Sequence, residues 1–394
     1  MLEIKLRKLD APFNCTATIS FPASEPDLQE EMDRLGIGIT TEKQCLVEAV
    51  RNEKGGLQAL IGKLVNADEI QFLAKRMDSF DKNELTTFYA VAEHERLDEV
   101  KDLINLTFNL HCYSLINDFS DIAAIGKKYE LDRRTEMTVE EIKNIDFTAI
   151  GRELFNRKRG VITPYGVLYS TDNIPELVYD GKNFPRYCWS GADVATVILE
   201  PEENPCSGNQ EYLYLPCSEV EIDKAINRMG LNIPCYCTTQ LEWDELNDQI
   251  YNLLTEKFLL FEHLYTVNKL AENYACFDEA SQKAFQAIAE MACPETPGEL
   301  VILADNFYEF DVIPGIKTSE EYGRYMITGS GKYEIDEDLT EYFDFKKYGE
   351  KRIQMENGVI TDYGYIAYKG NTPEVEKILG QNDLQKMEIG GMHL

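Results

Sequence analysis

The chain opens on an alternation of apolar and charged positions, Met1-Leu-Glu-Ile-Lys-Leu-Arg-Lys-Leu-Asp10, which is the period of a half-buried strand. Ser24-x-x-Asp27 follows, a pattern whose side chains can satisfy the first free amides of a helix. Leu28, Met32 and Leu35 then recur at helical spacing, and Gly36 stands where a left-handed cap would end that helix. Helical spacing returns in Phe72, Leu73, Phe80, Phe88 and Val91. A third region begins with the apolar run Leu103–Leu106, which fits a strand or a short buried helix. It ends in Gly160-Val-Ile-Thr-Pro-Tyr-Gly166, read as a strand after a tight turn, with Arg159-Gly160 as a weak hairpin signal.

The same succession then recurs. Residues 19–37 align with 213–231 at an offset of 194 with 5 identities in 19 positions. Residues 72–93 align with 269–290 at an offset of 197 with 8 in 22, and 146–166 with 344–364 at 198 with 9 in 21. So small a drift reads as tandem duplication. Ser218-x-x-Glu221, the face Ile222, Ile226 and Met229, and Gly230 repeat the capped helix. Phe277, Phe285 and Ile288 repeat the helical middle, and Leu300–Leu303 the apolar run. Asn357-Gly358 is a strong hairpin signal in the second closing segment. Pro175, Pro185, Pro201 and Pro205 with Gly181, Gly191 and Gly208 break up regular structure between the repeats, and Ala195–Leu199 reads as the strand that restarts the pattern. The expected architecture is an α+β chain of two tandem copies of a three-region unit: a strand-helix region, a helical middle and a small α/β closing region. The first copy spans 1–172, a linker 173–194, and a strongly acidic second copy 195–394.

Charge changes the picture most. The 394 residues hold 39 Lys and Arg against 70 Asp and Glu, a net of −31. Phosphates require Lys and Arg for neutralisation, so direct nucleic-acid binding and an anionic membrane surface are both excluded as partners. The excess is uneven: residues 1–190 hold 24 basic and 32 acidic side chains, residues 191–394 hold 15 and 38. The first half even carries a basic run, Arg157-Lys158-Arg159, opposite Met355, Glu356 and Asn357 of the second. That run reads as a solvated hairpin tip or as a contact for an acidic face of the same or another molecule. A homodimer and an intramolecular pseudo-dimer both stand open.

The densest acidic stretch is Tyr333–Asp344, preceded by Glu320-Glu321. Its carboxylates, Glu320, Glu321, Glu334, Asp336, Glu337, Asp338, Glu341 and Asp344, are the candidate partner-binding residues. If the stretch is helical, Glu334, Asp338 and Glu341 share a face. The helical rise of about 5–6 Å per turn is comparable with a spacing of roughly 7 Å between successive phosphates of one DNA strand. Such a row can occupy the Lys/Arg groove of a DNA-binding protein.

Catalytic chemistry has no signature. P-loop, Gly-x-Ser-x-Gly and His-Glu-x-x-His patterns do not occur, and His94, His111, His263 and His393 stand apart from any second ligand or base at motif spacing. Cys235-Tyr-Cys237 is the closest cysteine pair and has no second pair to complete a zinc site, so no metal or cofactor is expected. Ten cysteines fit a reducing compartment. Neither an apolar stretch of membrane-spanning length nor a signal-peptide core is present, and the expected location is the cytoplasm. Paired carboxylates for acid/base work stand open among the 70 acidic residues.

Leu339-Thr-Glu-Tyr-Phe-Asp-Phe-Lys-Lys-Tyr-Gly-Glu-Lys-Arg352, followed by Gly358-Val-Ile-Thr-Asp-Tyr-Gly-Tyr-Ile366, resembles the C-terminal signature of ArdA-type antirestriction proteins, with its Tyr-x-Asp-x-x-x-Tyr-Gly core. Val301-Ile-Leu-Ala-Asp-Asn-Phe-Tyr-Glu-Phe-Asp311 is similar to the antirestriction motif of that family, and Ile145-Asp-Phe-Thr-Ala-Ile-Gly151 echoes the signature in the first copy. The resemblance implies an acidic, elongated DNA mimic, not an enzyme, that occupies the DNA-binding site of type I restriction–modification complexes, or of a related DNA-binding defence system, and travels on mobile elements. Members of that family are commonly single-copy and dimeric, whereas this chain is duplicated and only mildly acidic in its first half. The alternative is an acidic module that sequesters a basic partner without imitating DNA.

Overall fold

The computed structural model describes residues 2–12, 15–52, 55–134, 137–157, 160–191, 193–201, 210–230, 237–243, 246–256, 261–334, 340 and 342–380. The chain divides into two units, Met1–Gly191 with Asp223–Leu231, and Ala192–Ile222 with Asn232–Leu394. The fold is mixed α+β, with small antiparallel sheets and many short helices.

In the first unit, strands β1 (Leu2–Lys8), β2 (Thr16–Phe21), β3 (Cys45–Asn52) and β4 (Leu64–Val65) form a sheet in the order β2-β1-β3-β4. Alternation dictates its buried face: Leu2, Ile4 and Leu6 of β1 are buried, and Ile4 sits opposite both Ile19 and Val50. Helix α1 (Glu25–Arg34) presses Leu28 and Met32 inward. Ser24 starts it, accepting the Asp27 amide at 3.2 Å. Gly36 ends it at φ +71°, with the Ile37 amide returning to the Met32 carbonyl at 2.9 Å. A side chain at that left-handed position would be strained, which is why glycine closes the helix.

Helices α2 (Ala67–Asp78), α3 (Lys82–His94) and α4 (Val100–Phe108) form the middle, so the Leu103–Leu106 run is helical. The closing region follows as β5 (Tyr113–Ile116), α5 (Ile122–Arg133), α6 (Val139–Asn144), α7 (Phe147–Arg157), β6 (Val161–Thr163) and β7 (Gly166–Ser170), with strand order β5-β7-β6.

Residues 171–191 contain no helix or strand, yet they form a packed strap. Tyr179 is buried and donates its hydroxyl to Glu69 at 3.1 Å. Phe184 stacks on Phe72 at 4.7 Å, and the Arg76 guanidinium lies 4.3 Å from the Phe108 ring and 4.5 Å from the Tyr187 ring. Two asparagines one helical turn apart act as stand-in peptide groups. The Asn105 Oδ1 accepts the amides of Val178 and Tyr179, both at 2.9 Å, while its Nδ2 donates to the Tyr179 carbonyl at 2.8 Å. Asn109 treats both backbone groups of Glu176 the same way, each at 2.8 Å. Asn105→Ala leaves three strap backbone groups without partners. It is expected to cost about 2 kcal/mol in urea denaturation and to open the strap to trypsin at Lys182 and Arg186.

The second unit begins with β8 (Ala195–Pro201) and β9 (Glu211–Leu215), and helix α8 (Glu219–Arg228) separates these from β10 (Cys237–Trp243), giving a sheet of order β10-β8-β9. The reciprocal bonds of Ser218 and Glu221 start α8, and Gly230 follows its end at φ +65°. Helices α9 (Asp248–Glu256), α10 (Phe261–Ala275), α11 (Glu279–Ala292) and α12 (Pro297–Asp305) form the middle, α12 absorbing the Leu300–Leu303 run behind its Thr296 cap. The closing region is β11 (Phe310–Pro314), α13 (Ser319–Arg324), a π-helical turn at Tyr325–Gly329, α14 (Phe345–Glu356), β12 (Val359–Ile360) and β13 (Gly364–Tyr368), in the order β11-β13-β12.

One turn differs from expectation. Asn357-Gly358 is not a hairpin: Asn357 adopts φ +50° as the C-cap of α14, its amide returning to the Ile353 carbonyl. Asn-Gly tolerates left-handed backbone, which serves a helix end as well as a hairpin turn. The hairpin lies further on, where Thr361 donates its amide to the Gly364 carbonyl at 2.8 Å and Val359 pairs with Ile366. In the first unit Val161 pairs with Leu168 across Pro164-Tyr165 in the same manner. Arg159 and Lys158 lie outside the described residues.

Candidate functional site

The closing region of the second unit carries the acidic candidates, so its construction decides what they can do. Helices α13 and α14 cross at two glycines. A Cβ on Gly349 would overlap the Ser319 carbonyl oxygen, and one on Gly323 the Phe345 carbonyl oxygen. Gly126 and Gly151 make the same crossing between α5 and α7, against Phe147 and Ile122. Asp344 caps α14, accepting the Lys347 amide at 2.9 Å, just as Asp146 accepts the Ala149 amide at 3.0 Å near the start of α7. The Asp and Gly of the signature therefore have structural work: one starts a helix and the other lets it approach its neighbour.

The cores beneath these crossings differ in an orderly way. Tyr129 and Tyr169 are buried with Ile125 and Val167 in the first unit. In the second, Tyr322 and Tyr365 pack with Met326 and Ala367, so the bulky rings change sides while the volume is kept. Tyr322 and Tyr365 stack at 3.9 Å and both donate to one oxygen of Glu356, at 2.5 and 2.7 Å, while Arg352 pairs with the other oxygen. Burial, with the Glu356 carboxylate beside it, pushes the Tyr322 hydroxyl up to about 12.

Of the candidate carboxylates, Glu320, Glu321, Glu334 and Asp344 are described and exposed, whereas Asp336, Glu337, Asp338 and Glu341 lie outside the described residues. Glu320 faces Arg324 at 3.6 Å. Glu321 accepts the Lys317 amide at 2.7 Å and holds the start of α13. Glu321 and Asp344 thus combine exposure with a capping duty that the sequence pattern did not reveal.

Ion pairing separates the two units. In the first, Lys5 and Arg7 both hold Glu48, Arg133 and Arg134 both hold Glu130, and Lys128 holds Asp132. Buried Glu25 lies between Lys75 at 2.7 Å and Lys224 at 3.0 Å, and Lys224 also reaches Asp68 at 2.7 Å. In the second unit Asp248, Glu290, Glu334, Glu350, Asp362 and Glu374 are exposed, and among the described residues no cation lies within 4 Å of them. Ion pairs also occur in the second unit, as at Lys283–Glu279 and Lys369–Asp311, so the difference lies in the buried pairs around Glu25 and Glu130 and in the larger acidic excess of the second unit.

Among the described residues no group of His, Cys, Asp or Glu is placed to hold a metal ion. No helix among them is long and apolar enough to cross a membrane. Cys45 is buried, and burial pushes its thiol up to about 12, which makes it unreactive.

The residues that carry the sequence resemblance thus build an acidic α+β closing region on a capped helix and a glycine crossing. The family model described as antirestriction protein (ArdA) matches residues 208–367, from the approach to β9 through most of β13. The matched stretch is less than half of the chain, and over it the chain is similar to ArdA antirestriction proteins. No curated protein matches the chain.

Proposed function

We propose that the chain is a DNA-mimic inhibitor that occupies the DNA-binding site of a type I restriction–modification enzyme, built from two ArdA-like copies and working in the cytoplasm. The observation that supports this reading is the surplus of exposed carboxylates without cation partners within the ArdA-matched segment. Carboxylates already neutralised by neighbouring Lys and Arg attract a basic groove weakly, whereas unneutralised ones can take the place of phosphates beside its Lys and Arg. The second unit therefore supplies most of the phosphate-like surface, and the first contributes less.

The test changes Glu320, Glu321, Glu334, Asp336, Glu337, Asp338, Glu341 and Asp344 to Gln or Asn. Asp344→Asn keeps a side-chain oxygen to cap α14, and Glu321→Gln keeps one to accept the Lys317 amide. The melting temperature is therefore expected to hold or rise as like charges are removed. Inhibition of ATP-dependent cleavage by a type I enzyme should fall in steps as substitutions accumulate, and wild-type inhibition should weaken as salt rises. Retention of duplex DNA by the protein in a gel shift, or inhibition without displacement of DNA from the enzyme, would overturn mimicry. Loss of all activity at a single position would point instead to a catalytic pair.

A further inference from the structure

Beside the closing hairpin of the second unit lies a cavity of about 870 Å³. Met291 of α11, Ile353 of α14, Val359 of β12 and Leu379 of a helical stretch at 373–380 supply apolar wall, while Glu350 and Glu376 contribute carboxylates. Both carboxylates are exposed, and neither has a cation within 4 Å among the described residues. The Gly358 backbone forms part of the wall, held there because a Cβ would overlap the Tyr365 hydroxyl.

We propose that this cavity is an anchoring pocket for a lysine or arginine side chain presented by a protein partner. The lining is mixed, with neutral polar groups of Gln354, Asn357 and Tyr368 beside the apolar wall and the two carboxylates. An anionic ligand is repelled by Glu350 and Glu376, and a wholly apolar one gains nothing from them. Lysine and arginine carry an aliphatic stem that covers apolar surface and a charged head that stays with polar groups. Arginine fits better, because its planar head can bond two carboxylates at once. At the offset of the closing repeats, Glu350 corresponds to Arg152 in the first unit, so the feature belongs to the second unit alone. The inference goes beyond DNA mimicry: a row of phosphate-like charges needs no cavity, whereas this one adds apolar wall that the stem of a basic side chain can cover.

The experiment follows the methyl resonances of Met291, Ile353, Val359 and Leu379 in the full chain during titration with N-acetyl-arginine amide. Two other probes separate the contributions: N-acetyl-citrulline amide has the stem without the charge, and guanidinium the charge without the stem. The expected result is a saturable shift of these methyls with the arginine probe, weakened about tenfold or more by E350Q/E376Q, and much smaller with either other probe. No saturable shift, an equal response of the double variant, or an equal response to guanidinium would overturn the pocket. Because the readout involves no restriction enzyme, failure of the pocket and failure of the mimic reading are distinguishable.

Discussion

Gly349→Ala is expected to disrupt the closing region of the second unit, lowering its stability by more than about 3 kcal/mol. The new methyl has nowhere to go, because its ideal position overlaps the carbonyl oxygen of Ser319, a backbone atom in the facing helix. Flexible side-chain tips can yield to such an intrusion; a helix backbone moves only as a unit. Parting α13 from α14 would also loosen the stacked Tyr322 and Tyr365 and their shared Glu356. Gly298→Ala in the first turn of α12 is the matched control. Its Cβ would meet only Thr296 Oγ1, at 3.9 Å, and the loss of unfolded-chain freedom should leave the protein equally or more stable. Urea denaturation of both variants checks the pair. A Gly349→Ala protein as stable as wild type would show that the crossing is not as tight as described.

Acid should unfold the first unit through Glu25. Burial works against its charge, but Lys224 and Lys75 outweigh burial and hold the carboxyl at about 2, below its ordinary 4.5. A depressed folded-state value means that the stabilisation is complete above 4.5 and disappears as pH falls toward 2. A displacement of that size corresponds to about 3 kcal/mol. The measurement is urea denaturation at a series of pH values, followed by Trp189 fluorescence in a Trp243→Phe background. Trp189 reports on this unit because its indole donates to Asp78 at 3.1 Å. Glu25→Gln should be less stable at neutral pH and should flatten the acid limb. An unchanged acid limb would assign the pH dependence to other carboxylates.

Much of this molecule follows from short stretches of chain. Alternation in Leu2–Leu6, the caps at Ser24 and Ser218 and the left-handed ends at Gly36 and Gly230 act within a turn or two, so each is readable where it stands. Where a local signal served two structures it left the choice open: Leu103–Leu106 lies inside the buried helix Val100–Phe108, and Asn357-Gly358 became a helix end because the helix before it runs on to Glu356.

The amino-acid sequence by itself determined the mixed α+β class, the acidic bias of residues 191–394 and the resemblance to the antirestriction family. Only the tertiary structure decided which charges are available to a partner. Lys224 meets Glu25 across 199 residues, and no local pattern marks it as buried rather than solvated. Glu321 and Asp344 look like their acidic neighbours until the amides they cap are in view. The glycine crossings, the exchanged tyrosines, the asparagine-held strap and the cavity between Met291 and Leu379 depend on partners brought together by packing. Backbone propensity and caps are set by near neighbours along the chain, whereas the burial and pairing of a charge are set by neighbours in space.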